Sequence, residues 1–97
     1  MGSRFSIFTE TGGEVMHIWL TGYFDESSAS RLMNVLTENI DGVYRAIIHT
    51  GTLSAIHPSG RVDLDRSFSE LRNKLSRVVF TGYNAQKIAP KGSMVVF

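Results

Sequence analysis

The chain offers three histidines, scattered hydroxyls and a few carboxylates for chemistry, because its 97 residues contain no cysteine. That absence removes a disulfide framework, a zinc–thiolate site, an iron–sulfur cluster and a cysteine nucleophile together. The densest reactive group is His57-Pro58-Ser59-Gly60 followed by Arg61. His57 and Ser59 could serve a nucleophilic reaction, but neighbours at a helix start rarely point into one reaction centre, and no orienting acid is evident. His49 and His57 could converge on a metal, yet two imidazoles with no acid spaced nearby make a thin ligand set, so no metal and no other cofactor is expected. His17 reads as a surface or half-buried strand residue. Asp63 and Asp65 fall on a helix at a spacing that points them apart, which makes them a poor acid/base pair. The phosphate loop, the Gly-x-Gly-x-x-Gly turn, His-Glu-x-x-His and Gly-x-Ser-x-Gly are all missing. No catalytic residue is assigned, and the chain is not read as an enzyme.

A second group repeats along the chain. Leu20-Thr21-Gly22-Tyr23, His49-Thr50-Gly51 and Phe80-Thr81-Gly82-Tyr83 each close an apolar run with Thr-Gly. If the three runs are parallel strands, their ends share the carboxyl edge of one sheet, where open α/β sheets bind ligands. Thr21, Tyr23, Asp25, His49, Thr50, Thr81 and Tyr83 would then form a polar ligand edge, with the amino end of a following helix offering backbone N–H groups to an anion. The same residues have an ordinary structural explanation: Thr suits a strand because it is β-branched, and Gly starts a turn.

The elements that must position these groups follow from periodicity. Residues 4 to 9 alternate, and an apolar run from Val15 to Leu20 follows Thr11-Gly12-Gly13, which predicts a hairpin whose glycines supply positive φ and whose second strand is central. Ala29, Leu32, Met33, Leu36 and Ile40 form one helical stripe, so a first helix is expected over about 26 to 40, capped by Asp25 and ended by Gly42. A strand over 44 to 50 leads into a second helix that starts at Pro58. Leu64, Phe68, Leu71 and Leu75 extend it to about Lys74 or Leu75, with Arg61, Asp65, Arg72 and Lys74 on its wet face. Val78 to Phe80 is a strand, residues 84 to 89 a short helical turn, and Met94 to Phe97 a last strand. The order β-β-α-β-α-β-(α)-β predicts an α/β fold with a mixed, mostly parallel five-stranded sheet.

Composition bounds the rest. A hydrophobic fraction of 42% and a formal charge of +1 describe one ordinary globular domain over residues 1–97, with Met1-Gly2-Ser3 resembling a cloning remnant and residues 1–4 not counted on as native. The apolar runs are far shorter than the ~20 residues a membrane span needs, and no signal peptide opens the chain, so a cytoplasmic location is expected. Beyond Glu70 the charged side chains are all cations: Arg72, Lys74, Arg77, Lys87 and Lys91. Basic repeats interleaved with aromatics are absent, and nucleic acid is not an expected partner.

Leu20-Thr21-Gly22-Tyr23-Phe24-Asp25, with Ala29 and Leu32 after it, resembles the Gly-x-x-Asp signature of STAS domains, the bacterial superfamily named for sulfate transporters and anti-sigma factor antagonists. Ala46 to Gly60 is similar to that family's third strand, loop and second-helix start, in register without a gap. The resemblance implies a signalling module that binds a protein, such as an anti-sigma factor or a sensor, through His57, Pro58, Ser59, Gly60 and Arg61. The sequence departs from the family where antagonists are switched. Their helix start reads Asp-Ser-Ser-Gly and the first Ser is phosphorylated, whereas here His57 and Pro58 stand for Asp and Ser, and His49 replaces a strand-end Asp. Ser59 is the one hydroxyl left in the motif. The helix that usually follows the last strand is also not expected before Phe97, which would leave apolar sheet surface open and favour a homodimer or an obligate partner. The alternative is a carrier of a lipid or nucleotide, using the Thr-Gly edge with Tyr23, Phe24, Phe68 and Tyr83.

Overall fold

The computed structural model describes residues 4–96, apart from the Arg72 side chain. The expectations that Phe97 extends the last strand, that Arg72 is wet and that Met1-Gly2-Ser3 is a remnant lie outside the described residues. Strands β1 (Ser6–Gly12) and β2 (Val15–Phe24) pair antiparallel, and β3 (Arg45–Ile56), β4 (Val78–Thr81) and β5 (Met94–Val96) follow in parallel, giving one sheet ordered β1-β2-β3-β4-β5. The mixed α/β sheet is thus the one the periodicity predicts. Strand β2 is interior, but the middle position belongs to β3. In the hairpin turn only Gly13 takes a positive φ, of 63°, and Gly12 ends β1 in extended backbone.

Helices α1 (Glu26–Asn39), α2 (Pro58–Phe68) and the short α3 (Ala85–Ile88) pack on one face of the sheet. Inward residues Met16, Ile18 and Leu20 of β2, Ala46 and Ile48 of β3, and Val78 and Phe80 of β4 meet Leu32, Leu36, Leu64, Phe68 and Ile88 in a single buried cluster. Each large side chain so buried contributes about 1.5–3 kcal/mol relative to exposure. The other face of the sheet carries the alternate residues, and no described helix lies against it in this cluster. None of the described helices is long and apolar enough to cross a membrane.

Strand β2 runs past Leu20 to Phe24, and Gly42 closes a 3₁₀ turn (Ile40–Gly42) without the positive φ expected of it; the two larger departures from the sequence reading are the ends of α2 and β3. Helix α2 stops at Phe68, and Ser69–Arg77 continues as a tighter 3₁₀ segment in which Leu71 leaves helical geometry (φ −102°, ψ 21°). Ser69 turns its hydroxyl back onto the Arg66 carbonyl at 2.8 Å, competing with the α-helical ladder. The kink still buries Leu71, and it fastens the segment to the turn after α1 through a Lys74–Asp41 ion pair and an Arg77 guanidinium donating to the Ile40 carbonyl at 3.1 Å. Strand β3 runs six residues past Thr50, an extension the alternation does not reveal because two irregularities break it. Trp19 pairs with His49 but Thr21 with Thr52, and Gly22 pairs with Leu53 but Tyr23 with Ala55. Each shift inserts one residue on β3, and the first returns Leu53 to the core face that strict alternation would deny it.

Candidate functional site

Strand β3 delivers the chain directly to the amino end of α2. The His57 backbone N–H donates to the Phe24 carbonyl at 2.8 Å, which ties this junction to the end of β2. His57 is the N-cap residue in extended conformation, and its Nδ1 accepts the Ser59 backbone N–H at 3.0 Å. The Ser59 hydroxyl lies 2.8 Å from the same nitrogen. With Nδ1 acting as an acceptor, the hydroxyl is the donor of that contact. Pro58 occupies the first turn, where a missing N–H loses nothing. An imidazole therefore does the work a Ser or Asp cap usually does.

Gly60 brings α2 against the start of α1. A Cβ at Gly60 would lie 2.8 Å from the Asp25 carbonyl carbon and 2.9 Å from its Cα, so no larger residue fits without movement. Asp25 caps α1 as the sequence predicts: its Oδ1 accepts the Ser28 N–H at 3.0 Å, and the Ser28 hydroxyl accepts the Asp25 N–H at 3.1 Å. The Ser28 backbone N–H holds the Asp25 carboxyl below its ordinary pKa. Tyr23, Asp25, Glu26, His57 and Ser59 line a shallow recess of about 220 Å³ between the two helix starts, with the Tyr23 ring edge-on to the His57 ring at 6.3 Å. Arg61 is exposed one turn on. Among the described residues no carboxylate hydrogen-bonds His57, so the Ser59–His57 contact terminates a helix and lacks the third, orienting member of a hydrolytic triad.

The Thr-Gly edge is assembled differently from the expectation. Strands β2, β3 and β4 share one polarity, but Thr21 and Thr50 lie inside their strands and their hydroxyls do not converge. Thr50 is buried on the helix side and donates to the Thr81 carbonyl at 2.9 Å. Thr21 and Thr81 follow core residues Leu20 and Phe80 and so project to the opposite face. Tyr83 is 81% exposed, with the Lys87 ammonium 4.7 Å from its ring centre. The physical reason is register: His49, not Thr50, stands opposite Thr81, so Thr50 keeps the inward phase of Ala46 and Ile48 while Thr81 takes the outward one. Of the predicted edge residues, Tyr23 and Asp25 join His57 and Ser59 in the recess, and Thr21, His49, Thr50, Thr81 and Tyr83 do not.

His49 does not approach His57 in a shared site. Its Nε2 is hydrogen-bonded to Nδ1 of His17 at 2.9 Å, and the His49 ring stacks on Trp19 at 4.8 Å with 8° between planes. Burial pushes the His49 imidazole below its ordinary pKa, and the neighbouring His17 adds to the effect. The sequence reading missed this pair. The available signal was the outward phase of two parallel strands, in which His17 and Trp19 alternate with core residues on β2 and His49 does so on β3.

No family model matches this sequence, and no curated protein matches it. Solved structures do match. The anti-sigma factor antagonist SpoIIAA in its unphosphorylated form aligns at a TM-score of 0.68 and 18% identity, covering 95% of this chain and 88% of that one. An uncharacterised protein with a SpoIIAA-like fold from Shewanella loihica PV-4 aligns at 0.65 and 15%, covering 98% and 86%. A STAS-domain antisigma-factor antagonist from Rhodobacter sphaeroides aligns at 0.62 and 16%, covering 93% and 96%. At these identities the likeness is one of fold: the chain has the STAS, SpoIIAA-like architecture.

Proposed function

We propose that this chain is a non-enzymatic, cytoplasmic regulatory module that captures a partner protein with the amino end of α2 and the junction before it. The observation that carries the reading is the recess between the two helix starts, where His57 and Ser59 stand beside Tyr23, Asp25 and Glu26 within a SpoIIAA-like fold. His57, Pro58, Ser59 and Arg61 form the contact surface, with the buried Gly60 seating it against Asp25, and the class of partner is that of an anti-sigma factor or a sensor. Pro58 stands where the antagonists resembled here carry their phosphorylated Ser, so capture is not switched at that position. The carrier alternative draws less support: Phe24 and Phe68 are spent in the core, and Tyr83 stands in solvent.

The test is affinity capture from extract of the source organism, with circular dichroism as a fold check. Ser59→Asp places a further carboxylate beside Asp25 and Glu26, and Arg61→Glu reverses an exposed charge. Both are expected to lose the protein that wild type retains while keeping a native spectrum. Undiminished capture by both variants overturns the reading. A lipid or nucleotide found by mass spectrometry in the purified protein, with no protein retained, overturns it in favour of the carrier.

A further inference from the structure

The sheet face opposite the helices carries two rows of side chains across all five strands. Register places Phe8, Trp19, His49, Thr81 and Val96 in one row, and Glu10, His17, Ile47, Val79 and Met94 in the next. The middle of the face is a continuous plate: Phe8 packs on Trp19 at 5.6 Å, Trp19 stacks on His49, and His49 bonds His17. Its margins are apolar and open, with Phe8 63%, Met94 45% and Val96 48% exposed. Exposed apolar groups gathered this way on one face mark an interaction surface, unlike the same residues scattered singly.

We propose that a second copy of this chain covers this face, sheet on sheet, about a two-fold axis parallel to the strands and passing over β3. Such an axis lays β1 of one copy over β5 of the other and keeps the rows aligned. Phe8 then faces Val96 of the second copy, His17 faces Val79, and Ile47 and His49 face their own equivalents. The charged groups at the two margins are complementary under the same operation. Glu10 stands on β1, and the Arg45 side chain leans toward β5, its guanidinium 4.0 Å from the Met94 sulfur. The half-turn brings Glu10 of each copy to the Arg45 and Met94 corner of the other, twice by symmetry, as an isologous interface requires.

The face is tallest at its centre: β2 and β3 supply 10 and 12 residues, whereas β4 and β5 supply 4 and 3, so at about 4.8 Å spacing and about 3.3 Å rise the rows shared by all five strands cover roughly 24 by 10 Å, and the inner strands extend the contact beyond them. Between the charged margins the plate holds only apolar groups, a Thr hydroxyl and an imidazole pair in which one nitrogen of each ring bonds the other. It therefore carries no fixed charge into a dry contact.

Sedimentation of the full chain tests this at micromolar concentration and about pH 8, where an ordinary imidazole is neutral. The expected species has twice the 10.8 kDa mass of the chain, with emission from the single Trp19 shifting blue as concentration rises. Phe8→Glu and Val96→Lys, at exposed positions, are each expected to weaken association by about tenfold or more, equivalent to about 1.4 kcal/mol, with circular dichroism unchanged. Glu10→Arg and Arg45→Glu are each expected to weaken it, and the doubly exchanged variant to restore it. A wild-type monomer overturns the proposal, whatever else occupies the face. A dimer indifferent to Phe8→Glu and Val96→Lys places the interface elsewhere and overturns it equally, and failure of the double exchange to restore association overturns the two-fold arrangement.

Discussion

Asn84 shows how much one side chain can hold in this fold. Strand β4 ends at Thr81, so β3 continues past it without a strand neighbour on that side, carrying the irregular stretch at Thr50 to Leu53. The buried Asn84 amide donates to the Thr50 carbonyl at 2.8 Å and to the Leu53 carbonyl at 3.2 Å, standing in for the absent strand. Asn84→Ala leaves both acceptors without that donor and is expected to destabilise the protein by about 2–3 kcal/mol, read as a lower urea midpoint with an unchanged slope. Legibility at this scale follows sequence distance. Asp25 as a helix cap was readable because its partner Ser28 is three residues away, and Pro58 as a first-turn residue because its effect is local. Asn84 was not, since its acceptors lie more than thirty positions upstream, and neither was the His17–His49 pair, whose members meet only through strand register.

Gly60 decides how the elements meet. The close approach of α2 to the Asp25 backbone leaves no room for a methyl group, and the obstruction is main chain, which cannot swing aside. Gly60→Ala is expected to destabilise by about 1–3 kcal/mol and to separate the two helix starts, measured by urea unfolding together with loss of partner capture. A favourable change, from the helix propensity of Ala alone, would show that the helices part without strain. Element type and order were legible because the apolar periods are strong: a stripe from Ala29 to Ile40 for α1, and short apolar runs for the inner strands. Two ends were not. The inserted residues on β3 interrupt the alternation that marks a strand, and the spacing from Leu64 to Leu75 fits an α-helix even though the chain tightens after Phe68.

For the molecule as a whole, acid acts in two separate windows. His49 has a folded pKa below the ordinary imidazole value, so the unfolded chain binds that proton more readily; its contribution is complete above about pH 6.5 and declines as pH falls toward the folded value. Asp25 and Asp41 have folded values lowered by the Ser28 N–H and by Lys74, so their contributions are present above the ordinary carboxylate value of 3.8 and are lost as pH falls through the folded values. Urea unfolding across pH should therefore show an upper decline between neutrality and mild acid, and a lower one in strong acid. His49→Gln is expected to remove the upper decline and keep the lower; persistence of the upper one would assign it to another group. The fold was legible at this scale, as the order of strands and helices fixes a mixed sheet covered on one side, while the site was legible only in part. The reason lies in the junction at His57. Two stretches that are far apart along the chain are stitched together by a main-chain seam, the β2–β3 ladder closed by the bond from the His57 amide to the Phe24 carbonyl, which involves no side chain. Exposed positions on either bank, such as Glu26 and Arg61, can be exchanged over generations while that seam stays closed, so binding preference can drift without redesign of the frame that displays it.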